Sequence, residues 1–214
     1  MSAIDDVTKP IESTDGLREL YPQPGERAAL KCLPSLDVHC RSFIALSPLV
    51  CVGTSTPEGA DVSPRGDAPG FVQVLDDNTI MIPDRPGNNR IDTMSNLMIN
   101  PQVGLLFMIP GVNETLRVNG VARISTDEAH LALGAFNGRL PKTCMIVDVR
   151  EAYLHCGKAL IRSRLWDEAS KIERAKLPSL GEMVNDQVKH RSSTQMTNEQ
   201  ADAWIEESYS KRLY

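Results

Sequence analysis

The middle of the chain consists of short apolar or alternating segments, which are typical of β-strands. Turns rich in Gly, Pro, Asp and Asn separate several of them, for example at 57–59 and 76–78. Residues 103–109 are almost wholly apolar, which predicts a central strand buried on both faces. The full pattern predicts strands over 49–55, 60–63, 71–75, 79–83, 103–109, 115–124 and 143–149, the last continuing over 151–156.

Helical periodicity is found at the two ends of the chain and in short insertions between strands. The N-terminal region predicts a mobile arm, a short helix over 14–21, and a helix over 27–46 that Pro34 interrupts. The insertions predict helices over 89–100 and 126–136, the second with Ser125 or Thr126 as its N-cap. The C-terminal region predicts helices over 158–176 and 197–213, with a polar linker at 185–195 between them.

The strands cluster and do not alternate regularly with long helices, which argues against a doubly wound parallel sheet. The pattern predicts a mainly β, α+β protein: a six-stranded antiparallel barrel with flanking helices. Three regions follow. Residues 1–48 form an arm and helices that pack on the barrel, 49–166 form the barrel with a basic helix after it, and 167–214 form a C-terminal helical extension.

Composition narrows the class of protein. The formal net charge is −5, so bulk electrostatics point to neither nucleic acid nor an anionic membrane as a partner. The longest apolar run is too short to cross a bilayer, and the polar, acidic residues 1–14 do not resemble a signal peptide. The five cysteines are odd in number and scattered, unlike a disulfide framework. Together these features predict a cytoplasmic protein.

The densest cluster of polar turn residues lies at 83–101, where a strand, a tight turn and a helix follow one another. Asn89 is predicted to cap the helix, with Asp92 completing a capping box. A helix start flanked by Arg85 and Arg90 suits a bound anion. The alternative is an ordinary loop with a well-capped helix and solvated arginines.

Two other clusters carry candidate chemistry. Ser63, Arg65 and Gly66 offer a hydroxyl, a guanidinium and a close-approaching backbone to one ligand. Lys158, Arg162 and Trp166 are spaced by four residues, so a helix would present them on one face. The alternatives are a hairpin loop and a solvated basic helix face. Neither a P-loop nor a GxGxxG dinucleotide motif occurs, so a phosphate site here would have another design.

Metal and nucleophile chemistry have weaker support. The pairs His39-Cys40 and His155-Cys156 suggest structural zinc, but they lack the usual gap between ligands. Cys156 is a candidate nucleophile beside Lys158, although no Asn or Asp nearby completes a Cys-His triad. No metal site and no catalytic protein side chain is therefore assigned from the sequence.

Taken in their order along the chain, the motifs resemble those of the FMN-dependent, pyridoxine 5′-phosphate oxidase-type flavoproteins. The resemblance is closer to a bacterial subfamily of these proteins. The resemblance covers residues 17–166. Each motif is weak alone, and their order and spacing make the set specific. The motifs are SPRGD at 63–67, PGFV at 69–72, IPDRPGNNR at 82–90, NP at 100–101, GLLF at 104–107, ETLRVNG at 114–120 and HCGKALIRSRLW at 155–166.

The resemblance implies a dimeric split β-barrel with FMN in a groove between two copies. By the family match, the segment from Ile82 and Pro83 to Arg90 holds the FMN phosphate and ribityl chain, with Asn89 and Arg90 as the first phosphate ligands. The better-known oxidases carry Ser-Arg-Lys at 88–90, so this chain has one positive charge fewer, and Arg65 or Arg85 is expected to compensate.

The other candidate residues follow from the same match. The strand with Ser63, Arg65 and Gly66 corresponds to the one that lines the flavin, and Thr115 stands where the oxidases have a glutamine near the ring. The resemblance further implies that a second set of residues approaches the cofactor, either within one copy or across the dimer interface: Lys158, Arg162 and Trp166.

The function implied is that of an FMN-dependent oxidoreductase acting on a small molecule. The C-terminal Arg/His substrate motif of the oxidases is not clearly present, which argues against vitamin B6 as the substrate. Two alternatives stay open. One is a non-enzymatic flavin or haem binder or sensor, with His39 or His155 as a haem ligand. The other is a deazaflavin-dependent reductase with the same fold.

Overall fold

The structure is a computed structural model that describes residues 9–214. The first eight residues of the predicted mobile arm lie outside this range. The chain divides into two compact units, with the boundary between Cys32 and Leu33. The described part of the first unit contains helices α1 (Thr14–Leu20) and α2 (Glu26–Leu30). The Ser13 side chain caps α1 by accepting a hydrogen bond from the Gly16 amide at 3.0 Å.

The second unit is built on one antiparallel sheet whose strand order is β2-β1-β5-β6-β7-β4-β3. Arg65 of β2 and Pro83 of β4 line the same cleft although β2 is the first strand of this order and β4 the sixth. The sheet therefore curls on itself, as a split barrel does, and the predicted fold class is confirmed. The sheet has seven strands, where the barrel was predicted with six. The strands are β1 (Leu49–Thr56), β2 (Gly59–Gly66), β3 (Gln73–Val74), β4 (Thr79–Pro83), β5 (Gln102–Met108), β6 (Thr115–Ser125) and β7 (Cys144–His155).

Strand register divides the sheet into a core face and an outer face, because directly paired residues point to the same side. Val50 is paired with both Arg65 and Phe107, and Val52 with Ser63 and Leu105, so these side chains share the core face. The prediction that residues 103–109 are buried on both faces is wrong. Val103, Leu105 and Phe107 are buried, whereas the outer face of β5 stays partly exposed.

A bulge keeps β7 in the sheet along its whole length. Asn119 is paired with Glu151 and Gly120 with Val149, so Arg150 is an extra residue without a partner in the register. This shift changes which residues of β7 face the core, from Ala152 on one side of the bulge to Val149 and Val147 on the other. The predicted break at residue 150, followed by a continuation of the strand, matches this bulge.

Helix boundaries near the barrel differ from those predicted. The helix predicted over 27–46 is two helices, α2 and α3 (Val38–Leu46), and the segment between them contains Pro34. Asp37 caps α3 by accepting from the Cys40 amide at 2.8 Å. Helix α5 (Glu128–Leu133) is capped by Asp127 rather than by Ser125 or Thr126, because the Asp127 carboxylate accepts from the Ala129 amide.

The C-terminal region was predicted less well. Helix α6 (Lys158–Ser163) ends early, at Arg164 in the left-handed conformation, and two 3-10 turns follow in place of the helix predicted to residue 176. Helix α7 (Leu180–Val188) overlaps the predicted polar linker. Helix α8 (Asn198–Lys211) agrees with the prediction and has a capping box formed by Thr197 and Gln200. No helix within residues 9–214 is long and apolar enough to cross a membrane.

Candidate functional site

A narrow cleft forms where β2 approaches β4, and we call it the β2–β4 cleft. Three predicted site residues line it: Arg65, Ile82 and Pro83. Ser63 lies two residues before Arg65 on β2 and therefore points to the same face of the sheet. Its Oγ is 2.8 Å from Oγ1 of the buried Thr93 on α4 (Asp92–Ile99). This bond joins α4 to β2. The complete lining is Arg65, Ile82, Pro83, Asp84, Met94, Ile124 and Met145.

Residues 84–91 form an exposed loop between β4 and α4. The loop starts where the Asp84 amide donates to the Thr143 carbonyl at 3.0 Å. Asn89 and Ile91 both have left-handed backbone, with φ of +58° and +54°. That conformation is uncommon for asparagine and strained for β-branched isoleucine, and strain of this kind concentrates at functional sites.

The prediction that Asn89 caps α4 in a capping box is therefore wrong. The N-cap is Ile91, which has no side-chain cap. Asn88 instead closes a turn, because its Oδ1 accepts from the Arg90 amide at 3.0 Å. Asp92 pairs with the guanidinium of Arg90 at 2.7 Å.

Arg85 is held at the base of this loop by two strong hydrogen bonds. Its Nε donates to Oδ2 of Asp67 at 2.6 Å, and one terminal nitrogen donates to the Gly134 carbonyl at 2.7 Å. The Asp67 side chain is 2% exposed and that of Arg85 18%, so the pair is largely shielded from water. Guanidinium carries five N–H donors, so Arg85 keeps donors for a ligand after making these bonds.

The arginines around the cleft each lie near an aspartate. Arg85 pairs with Asp67, Arg90 with Asp92, and the charge of Arg65 acts on Asp84. Burial raises the pKa of the Asp84 carboxyl, and the nearby Arg65 and Lys142 work against that rise. The expectation that Arg65 or Arg85 makes up for the positive charge missing at residues 88–90 stays a prediction.

Gly66 is the last residue of β2 and is paired with Leu49. The other predicted residues lie around the connection between β5 and β6. Thr115 begins β6 and is paired with His155 at the end of β7, just before Lys158 and Arg162 on α6. The Trp166 indole donates to the Val112 carbonyl at 2.9 Å. Because α6 ends at Ser163, only Lys158 and Arg162 share its face, and the predicted three-residue helical row is wrong. We call Thr115, Lys158, Arg162 and Trp166 the turn group.

The sheet separates the turn group from the β2–β4 cleft. Arg65 points to the core face. Leu116 is paired with the core residue Phe107, so its neighbour Thr115 points to the outer face. Lys158 and Arg162 are exposed and form no ion pair within residues 9–214. The turn group therefore adds two exposed cations outside the β2–β4 cleft of the same copy.

Cysteine and histidine residues do not converge on a metal site. Among residues 9–214, no group of three or more His, Cys, Asp or Glu side chains is placed to hold a metal ion. All five cysteines are free thiols. Burial raises the pKa of Cys40 to about 11, which keeps it a protonated, unreactive thiol, and Cys156 is exposed.

The family model described as pyridoxamine 5′-phosphate oxidase matches residues 36–156, which is more than half of the chain. The chain belongs to this family. The match begins near the N-cap of α3 and ends after β7, so it covers the whole sheet, including the β2–β4 cleft and Thr115. The family resemblance expected from the motifs is confirmed. No curated protein matches the chain.

Several solved structures are similar to this family member at low sequence identity. HupZ from Group A Streptococcus is 20% identical, covers 55% of this chain and 91% of its own, and has a TM-score of 0.46. An FAD binding protein from Mycobacterium smegmatis is 21% identical, with coverages of 57% and 97% and a TM-score of 0.42. An FMN-binding protein from Syntrophomonas wolfei subsp. wolfei is 12% identical, with coverages of 54% and 83% and a TM-score of 0.43.

Sequence reasoning missed several residues that shape the cleft of this family member. Asp67 and Asp84 were inside recognised motifs, so a search for partners of the arginines would have found them. Thr93 lies on α4 and is recognisable only once α4 is docked on β2. Phe136 and Tyr214 have no sequence signal, because only folding brings them to Asp67 and Arg85.

Proposed function

We propose that the chain is an FMN-binding oxidoreductase that works as a homodimer on a small-molecule substrate. The observation that carries this proposal is the β2–β4 cleft. It brings Arg65, Ile82 and Pro83 together beside a strained loop that contains Arg85, Asn89 and Arg90. Family membership supports the same ligand class, since the residues that the family model matches include both the cleft and the loop.

The flavin phosphate is assigned to residues 84–91. Guanidinium groups and exposed backbone N–H groups suit a dianionic phosphate, and this loop offers both beside the cleft. Arg85 contributes the N–H donors that remain after its bonds to Asp67 and Gly134. Ser63 and Arg65, on the core face of β2, form the wall beside the rest of the cofactor, and Gly66 ends the strand next to them. When bound, the flavin supplies electron transfer, and the protein supplies orientation and charge.

A second copy of the chain completes the proposed site, because the turn group lies outside the cleft of its own copy. Lys158 and Arg162 are cations without an ion-pair partner among residues 9–214, and they lie outside the cleft of the same copy. We assign the turn group to the partner's flavin, where Lys158 and Arg162 would add positive charge beside the cofactor.

The outer face of the sheet offers the surface for pairing. Leu106 is aligned with Cys51, and Met108 with Leu49, so apolar side chains lie next to one another on β1 and β5. Val62 on β2 extends this surface and is 68% exposed. An apolar strip of this kind on a sheet is typical of a surface that a second copy covers.

The direct test is the absorption spectrum of the purified protein, followed by mass spectrometry of the ligand released on denaturation. We expect the two flavin bands and the mass of FMN. A Soret band would identify haem instead, and a released deazaflavin would support the related reductase. A colourless protein that takes up no added FMN contradicts the proposal.

A further inference from the structure

Four separate segments of the second unit meet around Asp67. They are the residue after β2, which is Asp67 itself; the loop residue Arg85; the segment after α5, with the Gly134 carbonyl, Phe136 and Arg139; and Tyr214 after α8. Tyr214 is 147 residues away from Asp67 in the sequence, so this cluster depends on the docking of the C-terminal segment.

Tyr214 binds the carboxylate oxygen of Asp67 that Arg85 does not bind. The Tyr214 hydroxyl donates to Oδ1 of Asp67 at 2.8 Å, and Oδ1 also accepts from the Ala68 amide at 2.7 Å. Arg85 Nε donates to Oδ2. Both carboxylate oxygens therefore have fixed donors, and Asp67 can present only one orientation to Arg85.

The ring of Tyr214 is fixed as well. It stacks on Phe136 with ring centroids 4.0 Å apart and planes inclined by 19°. The guanidinium carbon of Arg85 lies 5.9 Å from the centroid of the same Phe136 ring. Arg139 donates to the main-chain oxygen of Tyr214 at 3.0 Å. The stacking on Phe136 and the bond from Arg139 therefore hold Tyr214 in place. The position of its hydroxyl at Asp67 does not depend only on the hydrogen bond between the two.

We propose that Tyr214 is a positioning residue for the phosphate loop: it holds Asp67, Asp67 holds Arg85, and Arg85 holds residues 84–91 in the shape that binds phosphate. This inference rests on the proposed function and adds a contribution from the C-terminal segment, which lies outside the residues that the family model matches. Tyr214 does not need to touch the cofactor. Its effect reaches the ligand only through Arg85.

The experiment compares the affinities for FMN and for riboflavin, which lacks the phosphate. Tyr214→Phe removes the hydroxyl and keeps the stacked ring, and Tyr214→Ala removes both. Tyr209→Ala is the matched control, since Tyr209 lies on α8 and is 62% exposed. Losing a hydrogen bond to a charged group is expected to weaken FMN binding about tenfold in Tyr214→Phe, and more in Tyr214→Ala. Riboflavin affinity should not change.

Hydrogen exchange of the ligand-free protein gives a second readout that does not depend on flavin. We expect the amides of residues 84–91 to exchange faster in Tyr214→Ala than in the wild type or in Tyr209→Ala. The inference is overturned if the ratio of the FMN affinity to the riboflavin affinity is unchanged in both Tyr214 variants. This holds whether both affinities stay the same or both fall by the same factor. If the wild-type protein binds neither flavin, the proposed function fails, and the exchange rates alone decide whether Tyr214 holds the loop.

Discussion

Asp67 shows how one buried carboxylate can organise residues from distant parts of the chain. Burial by itself raises the pKa of Asp67, but the hydrogen bonds from Tyr214, Ala68 and Arg85 outweigh it and hold the pKa below the usual range of an aspartate. The bond to Asp67 in turn raises the pKa of the Tyr214 hydroxyl. The negative charge is therefore favoured in the folded protein, and removing it leaves the largely buried Arg85 without its partner.

The shifted pKa leads to a pH-dependent stability prediction. A carboxylate whose pKa is lowered on folding stabilises the protein at pH above its unfolded-state pKa, and that contribution disappears as the pH falls through the folded-state pKa. Asp67→Asn should lower the free energy of unfolding by about 2–3 kcal/mol at neutral pH. The difference from wild type should shrink in acid, as the pH falls through the lowered folded-state pKa of Asp67. Urea unfolding at several pH values measures both effects.

The control for this variant is Asp186→Asn, at an exposed position on α7. It should change the free energy of unfolding by no more than about 0.5 kcal/mol at any pH. A gap between Asp67→Asn and wild type that stays constant from neutral to acid pH would mean that the lost stability comes from packing rather than from the charge of Asp67.

At the scale of elements, the pairing of α7 with α8 determines where Tyr214 lies. The two helices pack closely at Gly181, whose amide donates to Oδ1 of Asp202 at 3.1 Å. A Cβ at position 181 would lie 2.7 Å from the backbone nitrogen of Asp202, closer than real side chains approach. Position 181 therefore requires glycine for steric reasons, because any side chain there would keep the two helices apart.

Gly181→Ala should separate α7 from α8 and weaken the docking of Tyr214. We expect the C-terminal segment to be cut sooner by a protease, while the barrel stays folded by circular dichroism. Gly59→Ala is the control, since a Cβ at Gly59 meets no atom within 4 Å. Equal rates of cleavage in the two variants would show that the helices tolerate the extra carbon and that the contact at 181 is unimportant.

At the scale of the whole molecule, the two faces of the sheet have different partners. The core face is covered by helices, with Ile44 of α3 and Leu97 of α4 inside the same apolar cluster as Val52 and Phe107. On the outer face, α5 covers Met81 and Cys144 with Leu131 at one end. The apolar strip around Leu106 keeps some exposure, so a second copy of the chain can cover it.

Leu106→Glu tests this pairing. A charge at the centre of the strip should disrupt the dimer, because an unpaired buried carboxylate costs several kcal/mol at an interface. Light scattering coupled to gel filtration should give a dimer mass for the wild type and a monomer mass for the variant. Leu133→Glu is the control, because Leu133 lies on α5 and is 51% exposed. This variant should remain dimeric. A monomeric wild-type protein would contradict the proposed dimer.

Much of the fold could be predicted because local patterns determine it. Short apolar or alternating runs bounded by turn residues predicted β1, β4, β5 and β6 to within one or two residues, because the length and spacing of such runs are local properties of a strand. Helical periodicity at the two ends of the chain located α1 and α8. The helix breaks at Asn89, Ile91 and Arg164 could not be predicted, because left-handed backbone at residues other than glycine has no reliable sequence signal and is held by the surrounding fold.

The sequence alone determined the family, the barrel and the arginines of the loop, because motif order and strand periodicity are local properties that the chain carries without folding. Only the tertiary structure decided how those arginines are used. It paired Arg85 with Asp67, brought Tyr214 to both of them, and separated the turn group from the cleft. The physical reason is that hydrogen bonds and ion pairs depend on distances of about 3 Å, which folding alone sets between residues that are far apart in the chain.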